Sequence, residues 1–173
     1  MAEDFLRTYM EIKSLDEFIP FNKEDSKLRV VEMAVKQWQF NKFLYELVGS
    51  RWAWVDKLKW SDSQWMKYVN DRKLVTYVGY HEGSVAGYFE LIKRGKEIEI
   101  AYFGLVADFI GQGLGGQMLT IAIRDAFDLG ATRVWLSTCN LDHPAAIPNY
   151  AARGMKIYKT ETDYFTEEAS SPV

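Results

Sequence analysis

The chain of 173 residues is long enough to bury a hydrophobic core of its own as a single domain. Apolar residues make up 48% and charged residues 26%, which is typical of a soluble globular protein and excludes a disordered chain. The net charge is -3 with no basic stripe, and no apolar run is long enough to span a bilayer, so we expect neither nucleic acid nor a membrane as a partner.

The N-terminus and the cysteine content indicate a reducing compartment. The chain begins Met-Ala-Glu-Asp, which is acidic and lacks the apolar segment of a signal peptide. The single cysteine, Cys139, cannot form an intramolecular disulfide. We therefore expect a cytoplasmic protein.

The first part of the chain mixes strands with short helices. Extended segments are predicted over residues 4–12 and 28–35, with a polar irregular stretch between them. Residues 41–48 are typical of a short helix that stops at Gly49. A second helix is expected to start at Ser61, because Ser-Asp-Ser-Gln offers an N-cap with Gln three residues later.

The rest of the chain changes from strands to an alternation of helices and strands. Three β-branched and aromatic runs separated by turns predict an antiparallel meander over residues 74–80, 85–92 and 97–106. Alternating helices and strands then follow over residues 113–129, 133–138, 145–153 and 155–159. These patterns predict an α/β (α+β) fold with a mixed, mostly antiparallel central sheet of about six to seven strands flanked by helices.

A glycine-rich loop lies between the last meander strand and the next helix. Its six residues are Gly111, Gln112, Gly113, Leu114, Gly115 and Gly116. Glycines let a backbone adopt positive φ and approach a ligand closely, and a helix N-terminus adds unpaired N–H groups and a positive dipole end. The loop therefore predicts a phosphate site rather than a simple packing turn.

Two other phosphate motifs fit this loop poorly. Gly111, Gly113 and Gly116 match GxGxxG, but that dinucleotide motif belongs to the first turn of a doubly wound sheet, with an acid at the end of the second strand. Here the loop follows an antiparallel meander, and the strand at 133–138 carries no acid. A Walker A loop fails because no Lys-Ser/Thr pair follows the glycines.

Two motifs together resemble those of the GNAT-superfamily N-acetyltransferases. The loop pattern of that family, Gln/Arg-x-x-Gly-x-Gly/Ala, corresponds to Ile-Gly-Gln-Gly-Leu-Gly at residues 110–115. A second pattern, Asn-x-x-Ala-x-x-(apolar)-Tyr-x-x-x-Gly-Phe, corresponds to residues 143–155, with Tyr150 in the tyrosine position. The order of strands and helices is also similar over residues 74–158.

The resemblance implies a GNAT fold that binds acetyl-CoA or a related acyl-CoA. One domain would span residues 1–173, with a variable acceptor-side part at 1–72, an acyl-CoA-binding core at 73–160 and a tail at 161–173. No cluster of His, Cys or Asp residues has metal-ligand spacing, so no metal is expected. The cofactor-binding residues would be Phe103, Leu105 and Val106 on the strand, the six loop residues and His143.

The same resemblance implies roles for two side chains in acyl transfer to an amine. Tyr150 would be the general acid for the leaving thiolate, and Glu99 would be the general base, directly or through water. The alternatives are that Tyr150 only packs at a helix end, and that Glu99 and Glu97 are solvated edge residues. Cys139 is expected to be a small buried residue and not a nucleophile.

The sequence departs from the family patterns at residues that concern cofactor binding and the helix predicted over residues 145–153. Ile110 stands where Gln or Arg is usual, so phosphate binding would depend on backbone amides and the helix dipole. His143 replaces the usual Asn, and a helix-start role together with Asp142 is expected for it. Asn149 replaces an apolar residue, and Pro148 removes a helical N–H.

Five of the six tryptophans lie between residues 38 and 65. If the resemblance holds, Trp52, Trp54 and Trp60 lie in the connection that forms one wall of the acceptor site. They would line a pocket for an apolar, aromatic or cationic amine. The alternative is that these rings only fill the space between the short helices and the sheet.

The resulting expectation is an N-acyltransferase that moves an acetyl or similar group to a primary amine of a small molecule or peptide by direct transfer. One alternative is a catalytically idle GNAT domain that senses acyl-CoA. Another is an interaction module built on the Trp-rich surface, which would bind no CoA. The sequence leaves the acceptor, the acyl chain length and homodimer formation open.

Overall fold

The computed structural model describes residues 4–164, which form seven strands and four α-helices. The strands are β1 Asp4–Ile12, β2 Leu28–Glu32, β3 Leu74–His81, β4 Ser84–Arg94, β5 Glu97–Leu105, β6 Val134–Cys139 and β7 Lys156–Tyr164. The helices are α1 Trp38–Gly49, α2 Asp62–Asn70, α3 Leu114–Asp128 and α4 Ala146–Ala152.

All seven strands of this range join one mixed sheet in the order β2-β3-β4-β5-β6-β1-β7. Every neighbouring pair is antiparallel except β5 and β6, which are parallel. The predicted fold class is therefore confirmed. The parallel pair arises because α3 connects β5 to β6 as a crossover, which a tight hairpin turn could not do.

The N-terminal strand lies inside the sheet, between β6 and β7. Strand β7 extends to Tyr164, so residues 161–164 belong to the sheet and not to the tail in which they were expected. Their acidic side chains do not indicate disorder, because Glu161 accepts a hydrogen bond from Tyr9 and Asp163 accepts one from Arg7 Nε at 2.7 Å. The rest of the expected tail, residues 165–173, lies outside the described residues.

Helix α3 covers one face of the sheet and forms the centre of the main core. Its inward face is apolar, and the most deeply buried side chains there are Leu114, Met118, Leu119, Ala122, Ile123 and Ala126. Helices α1 and α2 cover the other face beside β3, β4 and β5, where they bury two smaller clusters. The helix predicted at Ser61 is confirmed with both bonds of its capping box, from Gln64 N–H to Ser61 Oγ and from Ser61 N–H to Gln64 Oε1.

Candidate active site

A cleft opens where β5 and β6 separate. The two strands pair only at Ile98 with Val134 and at Glu99 with Trp135. Beyond this point β6 remains bonded to β1 and β5 remains bonded to β4, so the facing edge of β5 has no strand partner. The cleft has a volume of about 1120 Å³. The described residues from the two strands that line it are Glu99, Ile100, Ala101, Tyr102, Phe103, Gly104, Leu105, Leu136, Ser137, Thr138 and Cys139.

The glycine loop lines the same cleft at the start of α3. Gly111 and Gly113 have φ angles of 85° and 81°, which only glycine adopts without strain. A Cβ at Gly111 would meet no atom within 4 Å, so the loop faces open space there. Gly113 is the N-cap of α3 and has no side chain to bond the first-turn N–H groups. This arrangement fits an anionic group such as a phosphate.

The other cofactor-binding residues predicted from the sequence divide into two groups. Phe103, Leu105, Gly115, Gly116 and His143 line the cleft together with Gly111 and Gly113. The remaining three predicted residues do not line the cleft. Gln112 Nε2 donates to the Asp108 carbonyl at 3.0 Å, Leu114 is buried in the core, and Val106 N–H donates to the Ala86 carbonyl at 2.8 Å.

Tyr150 lies in α4 and lines the cleft with only 7% of its surface exposed. Its ring packs edge-on against Phe103 of β5, with ring centroids 6.2 Å apart. Burial raises the pKa of its phenol, and Asp142 raises it further. Within residues 4–164 no group forms a hydrogen bond with its hydroxyl. Tyr150 therefore keeps its proton and presents an unpaired donor.

Glu99 lies on β5 and also lines the cleft. One of its oxygens, Oε2, accepts hydrogen bonds from Arg94 Nε at 2.8 Å and pairs with Nη2 at 2.7 Å. Its other oxygen, Oε1, has no hydrogen-bond partner among the described residues. Glu97 also pairs with an arginine, Arg133 Nη2 at 2.9 Å, but lies outside the cleft lining. The two carboxylates therefore differ in access to the cleft.

His143 and Asp142 form hydrogen bonds in the turn between β6 and α4. Asp142 Oδ2 accepts from Thr138 Oγ1 at 2.6 Å and from Cys139 N–H at 3.0 Å. His143 Nδ1 accepts from Ala145 N–H at 3.0 Å, which places its proton on Nε2. Burial raises the pKa of the Cys139 thiol, which disfavours the thiolate needed in a nucleophile.

The tryptophans predicted at the acceptor site lie in three different environments. Trp52 lines the cleft and packs edge-on against His143, with centroids 5.1 Å apart. Trp54 lines the cleft too, but most of its ring packs against Tyr45, Tyr88 and Tyr102. Trp60 does not line the cleft and packs edge-on to Trp65 and Tyr68 of α2.

An ammonium group does lie against the Trp60 ring, and it belongs to Lys57 of this chain. Lys57 Nζ is 4.5 Å from the Trp60 ring centroid, 4.9 Å from that of Tyr68 and 4.7 Å from that of Tyr102. It also pairs with Asp56 Oδ2 at 2.8 Å. This cation–π cluster was not predicted, because no local sequence motif indicates that a loop residue contacts α2 and β5.

Glu90 on β4 is a second buried polar group that was not predicted from the sequence, and it is 1% exposed. Its carboxylate accepts hydrogen bonds from Asn41 Nδ2 at 2.9 Å and from the Tyr68 hydroxyl. Because both oxygens are engaged and the residue does not line the cleft, it is not placed to act on a substrate. The position of Glu90 as the one acid inside the apolar run 85–92 is the sequence feature that could have indicated a buried carboxylate.

The profile of the acetyltransferase (GNAT) family matches residues 32–155, which is most of the chain and includes the glycine loop and Tyr150. The chain belongs to the GNAT acetyltransferase family. Members of this family use acetyl-CoA as a co-substrate, and the glycine loop, the unpaired edge of β5 and Tyr150 fit such a ligand. GNAT membership also agrees with the mixed sheet described above.

Curated relatives of this GNAT chain include uncharacterized N-acetyltransferases of Mycobacterium tuberculosis and Mycobacterium bovis. Each is 29% identical over 103 residues, which cover 59% of this chain and 65% of the relative. The chain thus matches slightly less than two thirds of the length of these relatives.

Solved structures that resemble the chain include acetyltransferases. A GCN5-related N-acetyltransferase from Sphaerobacter thermophilus has a TM-score of 0.73 at 14% identity, with 93% of this chain and 51% of that chain covered. An IAA acetyltransferase from Bacillus cereus has a TM-score of 0.53 at 25% identity, with 71% of this chain and 74% of that chain covered.

Among residues 4–164, no three His, Cys, Asp or Glu side chains come together as a metal-binding group. No helix in the same range is long and apolar enough to cross a membrane.

Proposed function

We propose that the protein is an N-acyltransferase that moves an acetyl or similar acyl group from acyl-CoA to a primary amine by direct transfer. The observation that carries this proposal is the cleft between β5 and β6, which has the glycine loop and the unpaired Tyr150 hydroxyl in its lining. A phosphate site, a free strand edge and a proton donor in one cleft match the needs of a long thioester ligand and an acyl transfer.

The glycine loop and β5 would hold the coenzyme. First-turn N–H groups of α3 would bind phosphate through hydrogen bonds and the helix dipole. The edge of β5 facing the cleft, including Phe103 and Leu105, offers backbone groups to the amides of a pantetheine arm, in the way that a strand edge pairs with an added strand. When bound, acetyl-CoA supplies the activated acyl group.

Tyr150 would donate a proton to the departing sulfur. A thiolate leaving group needs a proton, and a phenol holds one at neutral pH. The donor is also oriented, because the Tyr150 ring is packed against Phe103.

Glu99 would remove the proton from the attacking amine, directly or through a water molecule. Arg94 holds Glu99 through Oε2 alone, so Oε1 remains available in the cleft. Glu90 cannot replace it, because Asn41 and Tyr68 occupy both of its oxygens.

The acceptor would be a small molecule or peptide that approaches past Trp52 and Trp54. Trp60 would act indirectly by holding Lys57, whose ammonium occupies the ring face that a ligand would need.

Thiol release from acetyl-CoA with a panel of primary amines tests this proposal. We expect turnover with at least one amine, and a decrease in kcat of about 100-fold in Tyr150→Phe. The matched control is Tyr158→Phe on β7, which lies outside the cleft lining and should retain wild-type kcat.

The Ile110 side chain is an apolar group in the cleft, and it supports one alternative function. An idle GNAT domain that senses acyl-CoA would bind acetyl-CoA but release no thiol with any amine. Absence of CoA binding would contradict both functions and favour an interaction module built on the Trp-rich segment.

A further inference from the structure

Arg153, directly after α4, is a largely buried residue whose guanidinium has no counter-ion among residues 4–164. The residue is 9% exposed, and its Nε is buried with no hydrogen-bond partner. No carboxylate within residues 4–164 lies within 4.0 Å of its nitrogens, whereas Arg7, Arg94 and Arg133 all form such pairs. Its described partner is the ring of Phe21, with the guanidinium carbon 5.1 Å from the ring centroid.

A lone buried charge is unfavourable, and a ring face compensates for little of the lost hydration. Proteins keep such a group where a ligand supplies the opposite charge. A guanidinium is especially suited to phosphate, because its planar set of N–H donors matches two phosphate oxygens at once.

The position of Arg153 points to the glycine loop. Arg153 lines the cleft together with Gly113 and Gly116. A Cβ built on Gly116 would lie 2.8 Å from Arg153 Nη1 and 2.6 Å from the Phe21 ring, so any larger residue there would push both groups away. Gly116 lies in the first turn of α3 and has no positive φ, so its glycine serves this close approach.

We propose that Arg153 is a phosphate-binding residue of the CoA site and acts together with the first-turn N–H groups of α3. The Phe21 ring packs against the guanidinium and helps to hold it in place. The inference rests on the proposed CoA binding. It gives the site a cationic side chain that the apolar Ile110 cannot supply. CoA offers a pyrophosphate and a 3′-phosphate, and both have the chemistry that Arg153 would recognise.

Calorimetric titration of the full chain with CoA and with 3′-dephospho-CoA tests this role. We expect Arg153→Met to weaken CoA binding by about ten- to a hundredfold, the range for hydrogen bonds to charged groups. An equal loss with both ligands identifies the pyrophosphate, and a loss confined to CoA identifies the 3′-phosphate. The matched control is Arg124→Met on the exposed side of α3, which should bind CoA as wild type does.

Thermal unfolding separates binding from a structural role. Because Arg153→Met removes a charge that has no counter-ion, the Tm of the ligand-free variant should equal or exceed that of wild type, while the rise in Tm caused by CoA should shrink. Binding of CoA by folded Arg153→Met within twofold of wild type would overturn the inference and leave CoA binding intact. Failure of the wild-type chain to bind CoA would instead overturn the proposed function.

Discussion

Glu90 is a carboxylate enclosed between a helix and the sheet, and its charge state is linked to folding. Burial raises the pKa of this carboxyl above its ordinary value of 4.5, and the hydrogen bonds from Tyr68 and Asn41 oppose that shift only in part. The folded protein therefore binds this proton more tightly than the unfolded chain does. The contribution of Glu90 to stability is full below pH 4.5 and is lost as the pH rises through the folded-state value.

We predict that Glu90→Gln removes this pH dependence. The free energy of unfolding of the variant, relative to wild type, should increase as the pH is raised from 4 to 8, because only wild type has to ionise a buried acid. A tenfold change in proton affinity corresponds to about 1.4 kcal/mol. Urea unfolding at several pH values measures the difference, and a constant difference across that range would contradict the prediction.

Glu99 is a carboxylate with one free oxygen in the cleft, and its substitution tests the proposed base. We predict that Glu99→Gln lowers kcat about 100-fold while the dissociation constant of acetyl-CoA stays unchanged. Steady-state kinetics with a saturating amine gives the first quantity and titration gives the second.

The matched control for that prediction is Glu97→Gln, two residues earlier on the same strand. Its carboxylate pairs with Arg133 outside the cleft lining, so kcat should change little. Equal losses in the two variants would show that both changes act through the stability of β5, and the role of Glu99 as base would be wrong.

Helix α2 depends on a local motif that can be tested independently of the site. Ser61→Ala removes the N-cap side chain and one bond of the capping box. We predict a decrease of about 1 kcal/mol in the free energy of unfolding. Ser63→Ala in the same helix is the control, because Ser63 is exposed and caps nothing. Equal effects of the two changes on urea unfolding would contradict the capping role.

Most elements could be predicted because their signals are local. β-Branched and aromatic runs separated by turns marked the meander strands, and the glycine after Leu129 marked the end of α3. The partners of β1 could not be predicted, since Met10 pairs with Leu136 across most of the chain and no nearby residue reports such pairing. The same long-range pairing explains why the acidic residues of β7 appeared to form a tail.

The parts of the candidate site that belong to one segment could be predicted from the sequence. The parts that combine several segments could not. The glycine loop and Tyr150 belong to continuous motifs. The Lys57 cluster combines a loop, α2 and β5, and Arg153 meets Phe21 from the N-terminal part of the chain. Neither contact follows from spacing in the sequence.

At the scale of the whole molecule, the sheet formed by residues 4–164 opens between its two parallel strands, β5 and β6. Strands β4 and β1 hold the outer edges of β5 and β6, so the two inner edges separate without loss of pairing elsewhere. The cleft thus reaches from the glycine loop to Tyr150 through the middle of the fold. Our central claim is that this cleft binds acyl-CoA.

Calorimetric titration with acetyl-CoA tests that claim most directly. We predict saturable one-to-one binding by the wild-type chain and its loss in Gly113→Asp and in Gly115→Asp, where a carboxylate repels phosphate at the start of α3. Gly83→Asp is the control for strain, because its φ of 90° is equally positive but it lies in a distant turn with open space around it. Wild-type affinity in both loop variants, or no binding by wild type, would contradict the account.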